Sequence, residues 1–113
     1  MWIIYKKILF VCSRNKQRSL TAEKVFNKYN GLEVKSAGTE TGARVRISQG
    51  LIGWADIIFV MEKKHIRRLR EKFGDVLVNK QVICLNIPDE YEFMDEELIG
   101  VLKSVVFEYL GIT

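Results

Sequence analysis

Proline is almost missing from this sequence: one residue in 113, beside eight glycines. That excludes a proline-rich linker and leaves little room for disorder. Cysteine is scarce too, with only Cys12 and Cys84. A small secreted domain would carry a denser disulfide framework, so the two thiols point to a reducing cytoplasm rather than a bridge. The lone histidine is His65, and no His/Cys cluster has metal-ligand spacing, so neither metal nor cofactor is expected. Long apolar runs are also lacking. The start, "MWIIYKKILFVC", is broken by Lys6 and Lys7 and has no small-residue cleavage site. It reads as neither a signal peptide nor a membrane span, and no membrane partner is expected.

What remains is ordinary globular material, 48% apolar and 28% charged, of a length that fits one domain spanning residues 1–113. The formal net charge is +4, and the cations are not evenly spread. Arg14, Lys16 and Arg18 fall in one short stretch, "CSRNKQRS". Lys63, Lys64, Arg67, Arg68 and Arg70 fall in a second, "EKKHIRRLREKFG". Such clusters favour anions: phosphate esters, acidic protein surfaces or nucleic acid. A solvated helix face accounts equally well for the second.

The elements alternate. "KKILFVC" is an unbroken β-branched and aromatic run, as in a strand buried on both faces. Leu20 to Asn30 reads as a helix capped by Ser19 and closed by Gly31. Leu32 to Thr39 is a second strand. "ARVRISQGLIGWAD" is a modest helix weakened by Gly50 and Gly53, and Asp56 to Met61 a third strand. The basic segment from Glu62 is an amphipathic helix with Ile66, Leu69 and Phe73 inward, stopped by Gly74. Gln81 to Leu85 gives a fourth strand, and a last helix starts at about Asp95. This β-α-β-α-β-α-β-α order predicts an α/β fold: a four-stranded parallel sheet with helices on both faces. Ligands then bind beyond the carboxyl ends of the strands. Three polar segments should meet there: the stretch after Val11, the "SAGT" turn after Val34, and "NIPDEYEFMD" after Leu85.

The loop from Cys12 to Ser19 joins a strand to a helix, and such a junction attracts anions. The first helical N–H groups have no internal partner, and the dipole favours negative charge. Arg18 offers a planar fork for two oxygens at once. Cys12 would lie beneath the anion, in a positive field that favours a thiolate, and a thiolate under a phosphoryl group is a nucleophile in place. Ser19 has two readings, a helix cap or a hydroxyl donating to the sulfur, and both can hold.

The segment "VCSRNKQRSLTAE" resembles the phosphate-binding loop of low-molecular-weight protein tyrosine phosphatases: a cysteine, five residues, then Arg-Ser or Arg-Thr. Asn15 matches the asparagine of that pattern. "KSAGT", "ADIIFVMEKKH" and "NIPDEY" are similar to further segments of the family, in its order, from about Lys7 to Tyr91. The resemblance implies a phosphate-binding loop of Ser13, Arg14, Asn15, Lys16, Gln17 and Arg18 between the first strand and the first helix. It implies hydrolysis of a phosphomonoester through a phosphocysteine on Cys12, with Arg18 holding oxygens and Asp89 as general acid. Tyr91 matches an aromatic that walls the substrate ring, and partial core burial explains it equally well. Asp95 is the fallback acid, although its position suits a helix cap. The implied partner is a phosphorylated protein, with phosphotyrosine its expected form.

The chain departs from the pattern in three ways. It is short, with Glu40 to Trp54 compressed. Arg14 and Lys16 replace small or apolar loop residues, and Glu90 replaces the proline after the catalytic aspartate. Two other functions remain in view. Arsenate reduction uses a similar loop but needs further cysteines, and only Cys84 is present. A phosphate or nucleic-acid binding module would use the basic segments without turnover; nucleic acid is the weaker reading. His65 reads as a partly buried or surface residue before a base, Cys84 as a small hydrophobe before a redox partner, and Trp2 and Trp54 as packing residues.

Overall fold

The computed structural model describes residues 6–111, so Trp2 lies outside the described residues. Eight elements alternate along the chain: β1 (Lys6–Cys12), α1 (Arg18–Phe26), β2 (Leu32–Gly38), α2 (Gln49–Trp54), β3 (Ile57–Val60), α3 (Lys63–Leu77), β4 (Gln81–Cys84) and α4 (Glu96–Leu110). The four strands form one parallel sheet in the order β2-β1-β3-β4. The expected α/β class, strand count and strand direction all hold.

β1 is the centre of the molecule. Ile8 to Val11 are wholly buried because side chains alternate between two covered faces. Ile8, Phe10 and Cys12 point to one face, where Ala22, Val25 and Phe26 of α1 and Leu98, Leu102 and Val106 of α4 cover them. Leu9 and Val11 point to the other, against Ile52 of α2 and Leu69 of α3. Phe10 stacks between Phe26 and Phe59, with ring centroids 5.5 and 5.4 Å away, so aromatic packing ties α1 to two strands. Because β1 leaves the sheet at its middle, its carboxyl end opens between β2 and β3. Cys12 is the last residue before that opening.

Strands β2, β3 and β4 end or begin one residue inside the sequence reading, and three helices differ more. α1 begins at Arg18 and ends at Phe26, so Ser19 lies inside the helix and does not cap it; Gln17 is the cap residue and makes no side-chain cap bond. α2 is only Gln49–Trp54, capped by Ser48, whose hydroxyl accepts from Leu51 N–H at 3.2 Å. The residues before it are held by other backbone partners. Gly38 N–H donates to Val45 O, Ile47 N–H to Gly38 O, and Arg44 N–H to Arg14 O, at 2.8, 2.8 and 3.0 Å. Finally, α3 does not stop at Gly74. It leaves helical geometry at Phe73 (φ −130°, ψ 25°) and continues to Leu77. Among the described residues no helix is long and apolar enough to cross a membrane.

Candidate active site

The loop after β1 folds around the sulfur of Cys12. Asn15 takes a left-handed conformation (φ 59°), which Asn tolerates better than most residues. That turn aims its N–H at Cys12 Sγ, 3.3 Å away. The Asn15 side-chain amide donates to Ser19 Oγ at 2.7 Å, and Ser19 Oγ lies 2.9 Å from Cys12 Sγ. With its oxygen already accepting from Asn15, the Ser19 hydroxyl proton is free to point at the sulfur. Asn15, Ser19 and Cys12 thus form one connected hydrogen-bonded network around the sulfur. Cys12, Asn15 and Ser19 are all buried.

α1 starts directly behind this loop. Its first intrahelical bond is Thr21 N–H to Gln17 O, 2.9 Å, so the N–H groups ahead of Thr21 precede the helical ladder. No side chain caps them. An anion above Cys12 can take the place that a capping side chain fills elsewhere.

Arg18 is buried with 2% exposure. Its NH1 donates to Ile87 O at 2.8 Å and lies 3.0 Å from Glu62 Oε2. Its Nε stands 3.8 Å from Asp89 Oδ1. A buried guanidinium needs such partners, since an unpaired charge there would be costly. Burial pushes the Glu62 carboxyl up. The Arg18 guanidinium, helped by Lys64 and His65, outweighs this and leaves it below its ordinary value.

His65 is completely buried behind the loop. Its Nδ1 accepts from Glu62 N–H at 3.0 Å, which places the ring proton on Nε2, 3.0 Å from Ser13 Oγ. Burial, then the charge of Arg18, lowers its pKa to about 4, so the ring is neutral near pH 7.

A second support comes from the segment after β2. Thr39 N–H donates to Cys12 O, Glu40 N–H to Ser13 O and Arg44 N–H to Arg14 O, each at 3.0 Å. The Arg44 side chain adds a bond from Nε to Asn15 O at 3.3 Å. Gly38 allows this contact: a Cβ there would stand 2.5 Å from Ser13 O and 2.6 Å from Ala43 Cβ. The compressed stretch after "SAG" is therefore a brace under the phosphate loop.

Together these parts bound a cleft of about 270 Å³, lined by Cys12, Ser13, Arg14, Lys16, Gln17, Arg18, Glu40, Lys64 and Asp89. Asn15 and Ser19 shape the loop from beneath. Asp89 is exposed at the rim, whereas Asp95 caps α4, accepting from Glu97 N–H and Leu98 N–H at 2.8 and 3.2 Å. Tyr91 is half-buried against the α1–α4 side of the core and is not among the residues lining the cleft. Arg14 pairs with Glu40 at 3.3 Å, and Lys64 with Glu62 at 3.5 Å. Cys84 is a free thiol separated from β1 by β3, and it packs on the face opposite Cys12. Among the described residues no group of three or more His, Cys, Asp or Glu side chains is placed to hold a metal ion.

Sequence reasoning missed Glu62 as the partner of Arg18 and placed His65 nearer the surface than it is. The signal was present. Ligands sit at the carboxyl ends of all strands in such a sheet, and "EKKH" follows the third strand as "CSRN" follows the first.

The model of the family "low molecular weight phosphotyrosine protein phosphatase" matches residues 7–52, which run from β1 through the loop, α1 and the brace into α2. No curated protein matches the chain by sequence. Among solved structures, Wzb of Vibrio vulnificus, in complex with benzylphosphonate, has a TM-score of 0.77 at 21% identity, covering 95% of this chain and 98% of that one. The low molecular weight protein tyrosine phosphatase SP-PTP of Streptococcus pyogenes has a TM-score of 0.77 at 18% identity, covering 94% and 91%. The arginine phosphatase YwlE of Geobacillus stearothermophilus has a TM-score of 0.73 at 19% identity, covering 94% of each. In its loop-bearing segment by sequence, and over most of its length by fold, this chain is similar to the low molecular weight phosphotyrosine protein phosphatases.

Proposed function

We propose that the chain is a cysteine-dependent phosphomonoester hydrolase acting on phosphotyrosine or another aryl phosphate. The observation that carries this is the Cys12 sulfur at the floor of an open cleft, beneath an uncapped helix end and beside the buried guanidinium of Arg18. Cys12 Sγ attacks phosphorus; an S–P bond forms as the P–O bond to the leaving group breaks. Asp89, at the rim, supplies the proton that the departing phenolate needs, and its carboxylate then takes a proton from the water that attacks phosphorus. Phosphate leaves and the thiolate is restored. The loop N–H groups and Arg18 hold the equatorial oxygens throughout, so the charge of the transition state meets donors already in place. Neither His65 nor Glu62 lines the cleft; they position the loop and Arg18.

YwlE is named an arginine phosphatase in two of the similar structures; a phosphoarginine would bring a guanidinium to a mouth carrying Arg14, Lys16 and Lys64. Against the two carboxylates there, Glu40 and Asp89, the balance with Arg18 stays positive and favours the uncharged ring of phosphotyrosine. The test is phosphate release from an aryl phosphate, a phosphotyrosine peptide and a phosphoarginine peptide. Cys12→Ser should abolish turnover. Asp89→Asn should lower it about 10²–10⁴-fold for a poor leaving group, the usual worth of general acid help. A Cys12→Ser protein as active as the parent would overturn the reading.

A further inference from the structure

Two separate clefts are lined by residues of α3 and of the segment after β2. Glu40 and Lys64 line the catalytic cleft, and the second, of about 170 Å³, has Thr39, Thr41, Arg68, Glu71 and Lys72 in its lining. Thr39 and Thr41 flank Glu40 in the chain, so one strip of backbone walls both clefts. On the helix side Lys64, Arg68 and Lys72 recur at every fourth residue and share one face. All three are exposed. The catalytic mouth also carries Asp89, which is exposed, and Glu90 follows it in the chain.

Resting on the reading of Cys12 as a phosphatase nucleophile, we propose that the α3 groove selects phosphorylated peptides carrying acidic residues beside the phosphorylated one. Spacing fixes where the acids should fall. Lys64 to Arg68 spans about 6 Å and Lys64 to Lys72 about 12 Å along a helix axis. An extended peptide covers that span in about two to four residues. Arg68 and Lys72 face one carboxylate in the second cleft, Glu71, so the balance there stays positive. Lys64 is partly engaged by Glu62, and Arg14 by Glu40. Arg68 and Lys72 are thus the residues that set the preference.

Three phosphotyrosine peptides of one length test this: acidic at positions two to four from the phosphotyrosine on either side, neutral there, and basic there. The parent should prefer acidic over neutral by about three- to ten-fold in kcat/KM, the range that two partly exposed ion pairs provide. The gain should lie in KM and shrink as salt is raised. Arg68→Ala/Lys72→Ala should lose the preference yet keep its rate on a small aryl phosphate. Binding of the same peptides to Cys12→Ser reads the groove without turnover, so it separates failure of the groove from failure of the phosphatase reading. Equal affinity for acidic and neutral peptides, or a preference that survives the double substitution, would overturn the proposal. So would a single-stranded oligonucleotide that binds this face more tightly than the acidic peptide and is lost with the same two residues.

Discussion

At the scale of single residues, the site depends on where donors are spent. Ser19 Oγ accepts from Asn15 and lies 2.9 Å from Cys12 Sγ, which leaves its proton able to point at the sulfur. A helix cap would have directed the same oxygen at backbone N–H groups and left the sulfur with the Asn15 N–H alone. Ser19→Ala removes the hydroxyl and strands a buried amide donor on Asn15. A hydrogen bond to a charged group is worth about 1.5–3 kcal/mol, so turnover of an aryl phosphate should fall about ten- to a hundred-fold. Unfolding free energy should fall by about 1–3 kcal/mol, the cost of an unsatisfied buried donor. Paired measurements of kcat and urea unfolding check both. An unchanged kcat would mean that the hydroxyl does not act on the sulfur.

At the scale of elements, the sheet was legible in the sequence because its strands are short apolar runs bounded by polar turns. Ile8 to Val11 and Ile57 to Val60 have one stable place, between two layers of helix. The loop was legible because Cys12, Asn15, Arg18 and Ser19 are chemically unusual together. What was not legible depended on tertiary partners. Helical spacing over Ala43 to Ile47 lost to backbone pairing with Gly38 and the phosphate loop. The stop at Gly74 was overridden as α3 continued through an irregular Phe73. Glu62 is an acid in a basic segment until Arg18 is seen beside it. The brace yields its own prediction. Gly38→Ala puts a methyl carbon against Ser13 O and Ala43 Cβ, a backbone contact that cannot turn away. Overpacking of this kind costs about 1–3 kcal/mol, and here it displaces the loop that holds Cys12, so activity should fall more steeply than stability. Gly53→Ala is the control. It meets open space within α2 and should stabilise by up to about 1 kcal/mol through helix propensity. Thermal melts and aryl phosphate assays on both proteins separate the two effects. A Gly38→Ala protein with full activity would show that the brace does not set the loop.

At the scale of the whole molecule, the buried polar layer at the sheet's carboxyl edge couples folding to pH. His65 joins α3 to the phosphate loop as a neutral ring, accepting from Glu62 N–H and facing Ser13. Protonation would remove the Nδ1 acceptor and place a second buried cation near Arg18. The unfolded chain takes up this proton near the ordinary value of 6.5, while the folded chain resists until about 4. Between those values the unfolded state binds more protons, so stability rises with pH across the window and is lost as pH falls through it. The full span corresponds to on the order of 3 kcal/mol. Glu62 acts in a different range: its lowered carboxyl pKa contributes stability above 4.5 that disappears only as pH falls below that value. The two groups can therefore be told apart. Urea unfolding at pH 7 and pH 5 should show the parent losing stability on acidification, and His65→Gln should show a much smaller loss over the same interval. Both proteins should then share the steeper decline below pH 4.5, where carboxylates titrate. An equal loss between pH 7 and pH 5 in parent and variant would place the acid sensitivity elsewhere in the fold.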